Sequence, residues 1–178
     1  MLLPSLKKTS RNHGTVAHLS FVCSEVIFHT SLTELEAPNI LGALREKRTA
    51  YMLRRYHISK VMAAMIVREY FARHQDHDEV VVNYVNPGLC HSNLLRELPT
   101  PTYIIKTLLA RTAEVGSRTL VHAACVGRES HGQYLSDSEI RAPPYILCSK
   151  RGVELQRRLW DELMDRWTEI QPEIRQYV

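Results

Sequence analysis

The apolar positions along the chain follow two periods, and their alternation lays out the elements. Over residues 54–74, Ile58, Val61, Met62, Met65, Ile66 and Tyr70 recur at helical spacing and predict the strongest helix of the chain. The polar cluster His74-Gln75-Asp76-His77-Asp78 ends it. Residues 79–85 are β-branched and nearly unalternating, which predicts a strand buried on both faces. That strand stops at Asn86-Pro87-Gly88, a turn signature. Upstream, residues 15–22 are apolar and β-rich after Gly14 and predict another strand. A short helix is expected within residues 34–47, where Leu35, Ile40, Leu41 and Leu44 recur and Pro38 stands near the start.

Downstream, Pro101 suits the first turn of a further helix. Residues 113–125 predict another, with Val115, Leu120, Val121 and Ala124 facing inward, and a short strand follows near residues 133–135. The last helix, about residues 149–170, carries Leu155, Leu159, Leu163 and Trp167 as a core stripe. Trp160 lies off that stripe and is read as a contact in an oligomer interface. The order strand, helix, strand, helices, strand, helix implies an α/β unit with parallel strands and right-handed crossovers.

Composition narrows the classes. At 178 residues and 44% hydrophobic, the chain can build one packed domain and is not a disordered polymer. The formal charge of +4 raises nucleic-acid binding, but Lys7-Lys8, Arg54-Arg55 and Arg157-Arg158 are scattered among acidic residues, so no nucleic acid is expected as a partner. Cys23, Cys90, Cys125 and Cys148 form no C-x-x-C pair, which speaks against a zinc site or disulfide framework and fits a reducing, cytoplasmic setting. No apolar run approaches the ~18 residues of a membrane span, and none resembles a signal peptide.

The chemistry concentrates in Arg55-Tyr56-His57-Ile58-Ser59-Lys60. Tyr56 and Lys60, four apart at the start of the strongest helix, share one face. A phenol, with a pKa of about 10, is a poor proton carrier at neutral pH unless a nearby ammonium favours its anion. Such a pair suits proton transfer to or from a carbonyl or alcohol oxygen. His74, Asp76, His77 and Asp78 carry metal-ligand types, but a solvated helix-to-strand loop is the better reading. Cys23 and Cys90 flank the Tyr/Lys region and read as structural thiols.

Three stretches in register resemble the short-chain dehydrogenase/reductase family, in its retinol-dehydrogenase-like and fungal branch. Tyr56-His57-Ile58-Ser59-Lys60 matches the family's Y-x-x-S-K motif at the start of a long helix. Leu19-Ser20-Phe21-Val22-Cys23-Ser24 resembles the strand end that carries its catalytic serine. Asn86-Pro87-Gly88-Leu89-Cys90-His91-Ser92 matches its N-P-G strand end, followed four residues past the glycine by a serine. Residues 111–124 resemble its penultimate helix, and residues 2–8 the tail of the helix that bears its active-site asparagine. The resemblance implies Ser24, Tyr56 and Lys60 as catalytic residues. It further implies that Tyr56, Lys60, Pro87, Gly88, Leu89 and Ser92 bind NADP or NAD, with NADP preferred.

The seven glycines nowhere form G-x-x-x-G-x-G, the turn that cradles a dinucleotide pyrophosphate. The fold class expected is therefore α/β, a partial Rossmann-like, doubly wound parallel sheet lacking its N-terminal nucleotide-binding strands. Residues 1–178 read as a single truncated domain, the C-terminal, catalytic half. The function implied is an NAD(P)-dependent oxidoreductase acting on a small hydrophobic alcohol or ketone, in secondary metabolism. The alternative is a truncated, non-catalytic relic or an interaction partner. A lone chain of this kind is expected to expose a sheet edge, to associate through it, and to be inactive by itself.

Overall fold

A run that is buried on both sides must be covered on both sides, and this requirement organises the chain. In the computed structural model, which describes residues 2–74, 79–91 and 109–176, β2 (Val80–Asn86) is buried at every position. Val80, Val82 and Tyr84 join the main core, whereas Val85 joins a smaller cluster on the opposite face. β1 (Ala17–Val22) pairs with β2 in parallel, Ala17 opposite Val80 and Val22 opposite Val85. β3 (Tyr134–Ser136) pairs with the other side of β2, also in parallel. β4 (Glu139–Arg141) turns back antiparallel to β3, giving the sheet order β1-β2-β3-β4. The fold is α/β, with a partial Rossmann-like sheet flanked by helices.

Parallel neighbours need a crossover, and α3 (Met52–Arg73) supplies the one between β1 and β2. Its Ile58, Val61, Met65 and Tyr70 are buried against the sheet, as the apolar stripe predicts. Full burial of one such aliphatic side chain stabilises by about 1.5–3 kcal/mol. The helix stops at His74, whose backbone N–H bonds Tyr70 O at 2.9 Å and whose ring stacks on Tyr70 at 4.5 Å. The metal reading of the neighbouring cluster rests on Asp76, His77 and Asp78, which lie outside the described residues. Among the described residues no three side chains are grouped to hold a metal ion.

α6 (Lys150–Ile170) packs along α3. Ser149 caps it, with Oγ accepting the Gly152 N–H at 3.1 Å. Leu155 and Leu159 are buried as expected, but Trp160 is only 4% exposed and belongs to the core. The expectation of an interface contact is therefore wrong: α6 buries more than one stripe, and the Arg73 guanidinium covers the Trp160 ring at 5.4 Å. α1 (Leu2–His13) lies on the same side of the sheet and is longer than the helix tail read at residues 2–8. The excursion after β1 holds two single-turn helices, Glu25–His29 and Thr33–Glu36, before α2 (Ile40–Arg45). Glu162 of α6 accepts the Ile40 and Leu41 N–H groups at 3.0 and 3.1 Å, fixing α2 to the body.

α4 (Ala113–Cys125) covers the opposite face, with the boundaries expected from sequence but a different face inward. Gly116, Thr119 and Ala123 are buried and Leu120 is partly so, whereas Val115, Val121 and Ala124 are exposed. Small residues on the inner face let the helix axis approach the sheet. A short helix, α5 (Tyr145–Cys148), joins the β3–β4 hairpin to α6. The helix expected from Pro101 lies outside the described residues, as does Ser92. Among the described residues no helix is long and apolar enough to cross a membrane.

Candidate active site

The carboxyl ends of β1 and β2 open onto one side of the sheet, the usual place for a ligand in an open α/β fold. β1 ends at Val22, and Ser24 follows two residues on as the cap of the single turn Glu25–His29. Its Oγ accepts the Val26 N–H at 3.5 Å, a long bond that leaves the hydroxyl free to serve another oxygen. Tyr56 lies in the second turn of α3, and Ser59 bonds the Tyr56 carbonyl at 2.7 Å. β2 ends at Asn86, and the chain turns through Pro87 and Gly88.

These residues share a cleft of about 430 Å³ lined by Ser24, Tyr56, Asn86, Pro87, Gly88 and Leu89. Gly116, Ser117 and Leu120 of α4 contribute the far wall. Two of the three sequence-predicted catalytic residues, Ser24 and Tyr56, and four of the predicted cofactor contacts, Tyr56, Pro87, Gly88 and Leu89, therefore meet in one space. Lys60 stands one helical turn beyond Tyr56, with Nζ 5.8 Å from the centre of the Tyr56 ring. Its ammonium donates to the Val22 carbonyl at 2.9 Å.

Two other phenols have different surroundings. Tyr84 and Tyr134 pack ring to ring at 5.4 Å inside the core. Burial pushes the Tyr134 phenol up to about 12 and the Tyr84 phenol higher still, so both stay protonated and inert. Cys23, between Val22 and Ser24, is 2% exposed. Burial raises its thiol pKa, with the Ser24 backbone and Lys60 offsetting only part of the effect.

The turn after β2 has its own support. Gly88 has φ +76°, a left-handed conformation that favours glycine, and its N–H bonds Asn86 Oδ1 at 3.0 Å. Asn86 Nδ2 reaches Ser136 Oγ at 3.3 Å. Beyond the turn, Cys90 and Arg111 form an isolated parallel bridge. The Cys90 thiol donates to Pro87 O at 3.3 Å and fills the space where a side chain on Gly116 would stand. Neither Asn86 nor Arg111 was singled out from sequence as a functional residue. In the sequence Asn86 belongs to the turn and the N-P-G match, and nothing marks Arg111 as functional until the fold brings it beside Gly88.

Nearly the whole chain is similar to known proteins. The chain is 40% identical over 178 residues to the short chain dehydrogenase/reductase dmxR8 of Cryptosporiopsis sp., covering 97% of this chain and 55% of that protein. It is 33% identical to the short-chain dehydrogenase/reductase ffsI of Aspergillus flavipes, over 98% of this chain and 52% of that one. The short-chain dehydrogenase anuD of Penicillium roqueforti is 32% identical, over 98% and 49% respectively. No family model matches the chain. The chain belongs to the short-chain dehydrogenase/reductase family. It spans about half the length of the curated relatives it matches.

Proposed function

We propose that these residues are the substrate and nicotinamide side of an NAD(P)-dependent oxidoreductase acting on a small hydrophobic alcohol or ketone in fungal secondary metabolism. In this reading residues 1–178 are the C-terminal part of one domain. The observation that carries it is the shared cleft, with Ser24 and Tyr56 on one wall and the Pro87, Gly88 and Leu89 turn on another. The cleft volume accommodates a nicotinamide ring with a small substrate. At Gly88 a side chain would collide with the Arg111 guanidinium, so the turn keeps its shape only with glycine there.

The nicotinamide, when bound, supplies or accepts the hydride. The protein's own residues do the rest. Ser24 Oγ holds the substrate oxygen, and the Tyr56 hydroxyl gives it a proton in reduction or takes one in oxidation. Lys60 has three donors. One is on Val22 O, leaving two for the cofactor ribose and for the field that assists Tyr56. Pro87, Gly88 and Leu89 orient the ring through their backbone. NADP is the favoured cofactor. No G-x-x-x-G-x-G occurs in these 178 residues, so the adenosine half is not bound by them.

The test is a domain completed by joining this chain to the N-terminal half of the dmxR8 protein. Tyr56→Phe in that chimera should lower kcat by on the order of 10²–10⁴, the range of general acid-base catalysis. Near-normal turnover would remove Tyr56 from its role. A second reading, a non-catalytic interaction partner, is favoured by one observation: no strand pairs with the far side of β1 among the described residues. A completed domain with no turnover on any alcohol or ketone would favour it.

A further inference from the structure

We propose that Arg111 and Asp137 are positioning residues that clamp the turn after β2 in the shape that presents Gly88 to the nicotinamide, a role that rests on the cofactor reading above. The main chain of Arg111 is zipped to this turn on both sides. Its N–H bonds Leu89 O at 2.9 Å, and its carbonyl accepts the His91 N–H at 3.0 Å. The side chain then folds back over Gly88. A Cβ added to Gly88 would lie 2.7 Å from Arg111 Cζ and 2.8 Å from Nε, so the guanidinium lies against the bare α-carbon. Nη1 donates to Asp137 Oδ1 at 2.8 Å.

Asp137 is itself fixed. It and Ser138 have φ +54° and +59°, the two left-handed residues of a tight hairpin between β3 and β4. Ser136, beside it, donates to Asp137 Oδ2 at 3.4 Å and accepts from Asn86 Nδ2 at 3.3 Å. Asn86 in turn holds the Gly88 N–H. The ring Gly88, Asn86, Ser136, Asp137, Arg111 and back to Gly88 closes across the ends of two strands. Arginine suits this place because its planar fork can lie flat on a backbone while its edge meets a carboxylate, which a lysine cannot do. The side chains of Arg111 and Asp137 are 35% and 51% exposed, so the pair adds little to global stability. Its effect is local: it selects one conformer of a turn that contains a glycine.

Cys90 reports on that turn, because its thiol is held by the Pro87 and Gly88 carbonyls at 3.3 and 3.5 Å. In the purified 178-residue chain, the iodoacetamide alkylation rate of Cys90 is followed by peptide mass spectrometry. The Kd of nicotinamide mononucleotide is measured beside it by saturation-transfer NMR. Asp137→Asn is the cleanest variant, since asparagine tolerates the left-handed turn and only the charge is lost. It should speed Cys90 alkylation by on the order of tenfold, through local opening, and weaken the mononucleotide severalfold. Arg111→Met should do the same. The Cys23 rate should hold throughout, and the Tm at neutral pH should fall only slightly. Cys90 rates within a factor of about two across the variants would overturn the clamp. Faster alkylation with unchanged mononucleotide affinity would overturn the positioning role. If the parent chain binds no mononucleotide, the cofactor reading fails and takes this role with it, and the thiol rates then say separately whether the clamp exists.

Discussion

Cys23 sits beside the residue proposed to hold the substrate, yet its surroundings make it inert. Burial raises its pKa, and the thiolate is the reactive form. Cys125 and Cys148 are exposed. Alkylation of the folded chain at neutral pH should therefore modify Cys125 and Cys148 first and leave Cys23 untouched until urea unfolds the chain. Early labelling of Cys23 would mean that the strand end is not packed as described. Asp137 gives a second single-residue expectation. The Arg111 hydrogen bond holds its carboxyl below the usual carboxylate range. A lowered folded pKa adds stability above the unfolded pKa of about 4, and that contribution fades as pH falls through the folded value. Between neutral pH and acid, Asp137→Asn should lose less Tm than the parent, and the two should converge at the acid end. Parallel Tm curves over that span would count against the pair.

Among the elements, the α3–α6 seam carries a charge where sequence reading sees a core stripe. Glu69 is 3% exposed and accepts from Arg73 Nε at 2.8 Å and from the buried Gln156 Nε2 at 2.9 Å. Glu69→Ala would strand the Gln156 amide in the seam, at a cost of about 1–3 kcal/mol. A urea midpoint equal to that of the parent would show that Gln156 finds another partner. The seam also marks how far sequence could be read. The stripe from Ile58 to Tyr70 announces α3, and the β-branched run announces β2, because each period matches an element buried in the ordinary way. Trp160 escapes the rule because α6 is buried on more than one side. The inner face of α4 escapes it because Gly116 and Ala123 pack by being small, which hydrophobicity does not signal. The hairpin at Asp137 and Ser138 escapes it because no glycine announces the turn. In the candidate site, Tyr56 stands out by its spacing from Lys60 and the family resemblance implies Ser24, Pro87, Gly88 and Leu89, whereas the Arg111–Asp137 clamp joins residues 26 apart that only the fold brings together.

For the molecule as a whole, the sheet ends at β1 with no strand paired to its far side among the described residues. In the parallel register the N–H groups of Ala17 and Cys23 bond Glu79 O and Val85 O. By alternation, the main-chain groups of His18, Ser20 and Val22 then point away from β2. Lys60 meets the Val22 carbonyl. Such an edge templates pairing with another strand. The chain should self-associate as its concentration rises in sedimentation experiments. Val22→Glu, which puts like charges on facing edges, should shift it towards monomer. A parent chain that stays monomeric at high concentration would show that the edge is protected.

The central claim, that these residues address the nicotinamide half of a dinucleotide and not the adenosine half, has one direct measurement. Calorimetric titration of the purified chain should compare NADP with nicotinamide mononucleotide. The contacts available reach only the nicotinamide side, so both ligands should bind with similar Kd values, no tighter than about millimolar, and no alcohol or ketone should turn over. NADP bound at micromolar concentration, far tighter than the mononucleotide, would contradict the account.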